Sequence, residues 1–139
     1  MIDPDLLKAF QTTRFIVSTP QAEFAFRIGE GSSELDELMT TAGALSCAFV
    51  TAWNPRAAEL PEIANRAKHC QLIQEVQRRR YLFLPGRGVG ENPAWASEQS
   101  ILIVAISRES AKELGTLFDQ IAIVFVQRGE PAELLFCTK

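Results

Sequence analysis

Trp53-Asn54-Pro55 closes an apolar run, Asn65 follows it, and Glu98 and Gln120 stand at the starts of two later apolar runs. Each amide offers two donors and an acceptor, enough to read a polar ligand or to satisfy loop backbone groups. Glu98 lies three residues after Trp95. A carboxylate beside an indole at the mouth of a sheet has its pKa raised by desolvation and can serve as general base or acid. Trp53 and Trp95 can supply stacking or apolar walls. Trp53, Asn54, Asn65, Trp95, Glu98 and Gln120 are therefore the expected contacts for a small polar molecule, and Glu98 is the candidate catalytic group. The same residues can also form an internal hydrogen-bond network. From the residues alone, a binding module, an enzyme using Glu98 on a water or hydroxyl held by Asn54 and Asn65, and a structural or partner-binding protein all stay open.

Other groups point less clearly to chemistry. The stretch GRGVGENP, residues 86–93, has three glycines and Arg87. It lacks the Lys-Ser/Thr of a P-loop, and no helix opens directly after its glycines, so it reads as a flexible loop able to fold over a site. His69 and Cys70 are helix neighbours and do not face one another, whereas Asn65 and His69 share a face at i,i+4. Arg78, Arg79 and Arg80 fall where cations favour a helix C-terminus. Cys47, Cys70 and Cys137 are widely spaced and odd in number, which fits a reducing, cytoplasmic setting better than a disulfide framework. One histidine and no CxxC leave little from which to build a metal site, and no cofactor is implied.

The elements that must position these residues follow from the pattern. The 139 residues suit a single domain, 1–139, with a helix over 1–12 and a sheet with its helices over 14–137. A formal net charge of -3 provides no electrostatic footprint for nucleic acid, and the longest apolar run is far too short for a membrane span. Asp3 and Pro4 open the first helix; Phe24, Phe26 and Ile28 alternate with polar or small residues in a hairpin turning at Thr19-Pro20-Gln21. Ser32 or Ser33 caps a helix, and ALSCAFVTAW reads as a strand buried on both faces. Asn54, before Pro55, is biased away from the right-handed helical region. A long helix is predicted from Pro61 to about Arg80. A short strand at YLFL, the strands SILIVAI and IAIVFV with a helix between them, and a last strand ELLFC complete the order. The class is α+β: a mixed, mainly antiparallel sheet with packed helices.

TAWNP at 51–55, Asn65, WASEQS at 95–100 and FDQIAIVF at 118–125 together resemble a bacterial family, domain of unknown function 3293. The resemblance covers roughly residues 14–135 and rests on Thr51, Ala52, Trp53, Asn54, Pro55, Asn65, Trp95, Glu98, Ser100 and Gln120. Gln99 stands where a proline often follows the glutamate, and Ile121 where a polar residue often follows the glutamine. The resemblance implies a location for the site and no particular activity.

Overall fold

The computed structural model describes residues 3–92 and 96–137. Its elements run α1 (Pro4–Thr12), β1 (Arg14–Ser18), β2 (Glu23–Phe26), α2 (Ser33–Thr41), β3 (Ser46–Val50), α3 (Glu62–Arg78), β4 (Leu82–Val89), β5 (Glu98–Val104), α4 (Arg108–Leu117), β6 (Ala122–Gln127) and β7 (Glu133–Phe136). This is the order that the hydrophobic pattern predicts, with a 3-10 turn at Pro55–Ala57 added between β3 and α3. Asp3 caps α1 by accepting the Asp5 N–H, and Ser32 caps α2 by accepting the Leu35 N–H. Each removes one of the unpaired donors that every helix start leaves.

The strands form one sheet in the order β2-β1-β4-β5-β3-β6-β7, with every ladder antiparallel. Among the described residues the parallel component is a single bridge, Ile28 to Ala132, which joins the chain just past β2 to the chain just before β7. Gly29 N–H donates to Ala132 O at 2.8 Å and Ala132 N–H to Glu30 O at 3.2 Å, so the sheet curls until its two edges touch.

Both faces of the central strands are buried, which is why β3, β5 and β6 read as unbroken apolar runs. Cys47, Phe49, Leu102, Val104, Val124 and Val126 face α2, whose Leu35 and Met39 are fully buried among them. Ala48, Val50, Ile101, Ile103, Ile123 and Phe125 face α3 and α4, where Leu72, Val76, Ala111 and Leu114 cover them. Each fully buried Leu or Met side chain stabilises the fold by about 1.5–3 kcal/mol. Phe15, Phe26 and Phe49 pack as a trio with ring centroids 5.2 to 5.6 Å apart, tying the hairpin to the central strand.

Three helices stop in the same way. The residue just past the end is left-handed, Gly43 (φ 68°), Arg80 (φ 64°) and Asp119 (φ 56°). The next N–H reaches back over the turn: Ala44 to Met39 O, Tyr81 to Val76 O, Gln120 to Gly115 O. Glycine suits this position, and Arg80 and Asp119 occupy it at a conformational cost of about 1–2 kcal/mol each.

The glycine-rich stretch departs from expectation. Gly86 to Val89 continue β4, paired with β1 on one side and, through Gly88, with β5 on the other. They are therefore part of the ladder and not a lid. A Cβ on Gly86 would lie 2.6 Å from Ile16 O and 2.8 Å from Phe49 Cε2, so this glycine serves close backbone approach. Arg87 is likewise spent on the sheet surface, bidentate to Glu23 at 2.7 and 3.1 Å. Together with Ser18 it holds the Glu23 carboxyl down at about 2.

Candidate functional site

Where β3 ends, Thr51 makes the first fastening. Its Oγ1 donates to Gln99 O of β5 at 2.6 Å and accepts the Trp53 N–H at 3.0 Å. Trp53 is buried. The chain then turns through Asn54 (φ 46°, ψ 65°), Arg56 (φ 57°) and Ala57 (φ 59°), three non-glycine residues in the left-handed region. The bias of Asn54 away from the right-handed helix is thus realised as left-handed backbone, not extended chain. Such residues persist where surrounding contacts over-determine them.

Asn65 supplies those contacts. It sits in the first turn of α3, is 2% exposed, and accepts the Asn54 N–H on Oδ1 at 2.7 Å. Its Nδ2 donates to Asn54 Oδ1 at 2.8 Å and to Leu60 O at 3.2 Å. Asn54 Oδ1 also accepts the Leu60 N–H at 3.0 Å, and Asn54 Nδ2 donates to Glu98 Oε2 at 3.2 Å. On the other flank, Gln120 Nε2 donates to Trp53 O at 3.2 Å. Five predicted residues, Trp53, Asn54, Asn65, Glu98 and Gln120, are therefore joined at one end of the sheet. The sixth, Trp95, lies outside the described residues.

These five do not share one role. Both Nδ2 groups and both Oδ1 atoms of the asparagine pair are engaged within the corner, and Trp53 is walled in. Glu98 differs: its carboxylate is half-buried, its hydrogen bond is to a neutral amide, and among the described residues no cation offsets its burial. Burial pushes its carboxyl above the ordinary value of 4.5, while the Asn54 hydrogen bond pulls the other way. Ser100, also buried, donates to Glu98 O at 3.1 Å and steadies the start of β5.

Two residues of the corner were not singled out from the sequence. Arg56 N–H donates to Asp119 O at 2.7 Å, and the Arg56 guanidinium lies 3.8 Å from the Asp119 carboxylate. Both side chains are exposed, so the ion pair contributes at most about 1 kcal/mol. With Thr116, Gln120 and Ile121 they line a pocket of about 380 Å³ beside the corner. The position of Asp119, just past an apolar helix face and before Gln120, is the one signal that marks it.

His69, one turn beyond Asn65, lies on the helix face that carries Leu72 and Val76 towards the sheet. Its Nδ1 is buried without a hydrogen-bond partner, and burial lowers its pKa below 6.5. Cys47 and Cys137 are buried, their thiols pushed up to about 12 and about 11, which is the opposite of an activated nucleophile. Among the described residues no three His, Cys, Asp or Glu side chains cluster to hold a metal ion, and no helix is long and apolar enough to cross a membrane.

Residues 50–123 match the family model described as protein of unknown function (DUF3293). The chain belongs to this family. The DUF3293 match runs from the last residue of β3 into β6 and so contains the whole corner, including Thr51, Asn54, Asn65, Glu98 and Gln120. It is narrower than the resemblance over residues 14–135 and leaves out the β1–β2 hairpin and α2. No curated protein and no solved structure matches the chain.

Proposed function

We propose that this DUF3293 chain acts as one domain that binds a small polar molecule at the Trp53-Asn54-Pro55 corner, with Glu98 as the group that meets the ligand. The observation that carries the reading is the half-buried Glu98 carboxylate, which among the described residues has one amide donor and no charge partner. A ligand bringing an ammonium, amidinium or hydroxyl group would supply the missing donor, and a charged one would relieve the cost of desolvation. On this reading Asn54 and Asn65 hold the carboxylate in place, and Gln120 braces Trp53 from the opposite flank.

The test is a thermal-shift screen of small amines, amidines and polyols on the full chain, with Glu98→Gln alongside. A compound present at 100 times its Kd stabilises by about 2.7 kcal/mol. Stabilisation of the wild type that is absent in Glu98→Gln supports the reading, and equal stabilisation of both removes Glu98 from the site.

Two alternatives have observations behind them. The raised pKa of Glu98 suits a general base. An enzyme would lose turnover in Glu98→Gln with no loss of melting temperature. The engagement of both asparagine amides within the corner suits a purely structural network. That reading expects loss of stability in Asn54→Ala and no compound that stabilises the wild type selectively.

A further inference from the structure

The opposite end of the sheet carries a second concavity, where β4 begins, β5 ends and the chain enters β3. It is a pocket of about 390 Å³ lined by Ala42, Arg79, Arg80, Tyr81, Leu82, Val104 and Ala105. It is an open depression and not an enclosed cavity, so a ligand there would keep one side in water. Its walls are of two kinds, apolar from Leu82, Val104 and the alanines, and cationic from the end of α3.

The three arginines there are not equivalent. Glu75 accepts from Arg78 at Nε and Nη2 and from Arg79 at Nε, which holds its carboxyl down at about 2. Arg79 also lies 3.7 Å from Glu113. Among the described residues, Arg80 has no carboxylate within ion-pairing distance. It is the uncompensated charge of the run, and it projects from the left-handed position at which glycine would be less strained. The carbonyls of Val76 and Gln77 are already taken by the Tyr81 and Arg80 N–H groups. The side chain of Arg80 is therefore not needed to close the helix. Across the pocket the chain is left-handed again, at Ala105 (φ 63°), fixed by its N–H to Ser46 O at 2.8 Å. Leu82, which lines the same pocket as Arg80, is a large apolar group left 61% exposed.

From this we infer a second binding site, for a small anion of the carboxylate or phosphate class carried on an apolar body. The anionic group meets Arg80, and the body lies against Leu82 and Tyr81. The site is separate from the Asn54 corner and does not depend on its function.

The inference is tested by isothermal titration of the full chain with phenyl phosphate, benzoate, inorganic phosphate and benzyl alcohol, using wild type, Arg80→Gly and Arg80→Lys. Arg80→Gly keeps the backbone turn, so its melting temperature should equal or exceed that of the wild type. Phenyl phosphate or benzoate should bind the wild type saturably, and the tighter of the two identifies the anion. Arg80→Gly should weaken that binding about tenfold, as expected for loss of one charge-assisted hydrogen-bond partner. Arg80→Lys should retain it, and benzyl alcohol and inorganic phosphate should bind more weakly. Equal affinity in wild type and Arg80→Gly, no saturable binding of either aromatic anion, or inorganic phosphate binding as tightly as both would overturn the inference.

Discussion

Asn65 and Asn54 are paired twice, the Asn54 N–H on Asn65 Oδ1 at 2.7 Å and the Asn65 Nδ2 on Asn54 Oδ1 at 2.8 Å. The first bond fixes the backbone of a left-handed residue and the second fixes its side chain, so one helical amide sets both ends of Asn54. Glu98 is held from the same unit through Asn54 Nδ2.

This pairing makes Asn65→Ala costly. It would leave the Asn54 N–H and the Leu60 carbonyl unpaired beside a buried position, at about 1–3 kcal/mol. Asn54→Ala should cost a similar amount, and the two should not add. A double-mutant cycle read by urea unfolding should give a coupling of about 0.5–3 kcal/mol. Simple additivity would show that the two amides act independently.

Glu98→Gln should change the pH dependence of stability in a definite direction. The folded pKa of Glu98 lies above 4.5, so between that value and the folded pKa the native state holds a proton that the unfolded chain has released. Wild-type stability from this group therefore falls as pH rises through that window, and the loss remains in full above the folded pKa. Glutamine keeps an acceptor for Asn54 and does not titrate. Its stability advantage over wild type should be absent below pH 4.5, grow above it and then level off, as read from urea midpoints across pH. A flat difference would mean that Glu98 is not desolvated.

His69→Leu should run the other way with pH. Burial lowers the His69 pKa below 6.5, so as pH falls from there the unfolded chain takes up a proton before the native state does. Wild-type stability is lost over that range, down to the folded pKa. Leucine also removes the unpartnered Nδ1. The variant should gain most over wild type at mildly acidic pH; an advantage independent of pH would place His69 in contact with water.

Gly86→Ala should destabilise by about 1–3 kcal/mol, because its Cβ would press on Ile16 O and on the Phe49 ring. Gly90→Ala, with nothing within 4 Å of its Cβ, is the matched control and should stay within about 0.5 kcal/mol of wild type. Equal melting temperatures for the two would mean that β4 is free to move away from β1.

The elements were legible because their signals are local. Pro55 and Pro61 bracket the corner, Asp3 and Ser32 announce helix starts, and the unbroken apolar runs of β3, β5 and β6 follow from burial on two faces. The grouping of Asn54, Asn65, Glu98 and Gln120 was readable because each sits where an apolar segment begins or ends. What escaped depends on partners distant in sequence. Gly86 reads as a loop residue until Ile16 and Phe49 are seen pressed against it. Arg80 and Asp119 hide two helix ends that glycine would have advertised. The meeting of Ile28 with Ala132 depends on the curl of the whole sheet, which no window of sequence contains.

That meeting has a consequence for the order in which the protein assembles. Ile28 lies just past β2 and Ala132 just before β7, the first and last strands of the order, so they come within reach once the five strands between have paired and curled. The seam is then the last part of the sheet to close and the first to open. In native-state hydrogen exchange the amides of Gly29 and Ala132 should be released well before those of Phe49 and Leu102. While the seam is shut, the backbone groups of Gly29, Glu30 and Ala132 that form it are closed to strands of neighbouring molecules.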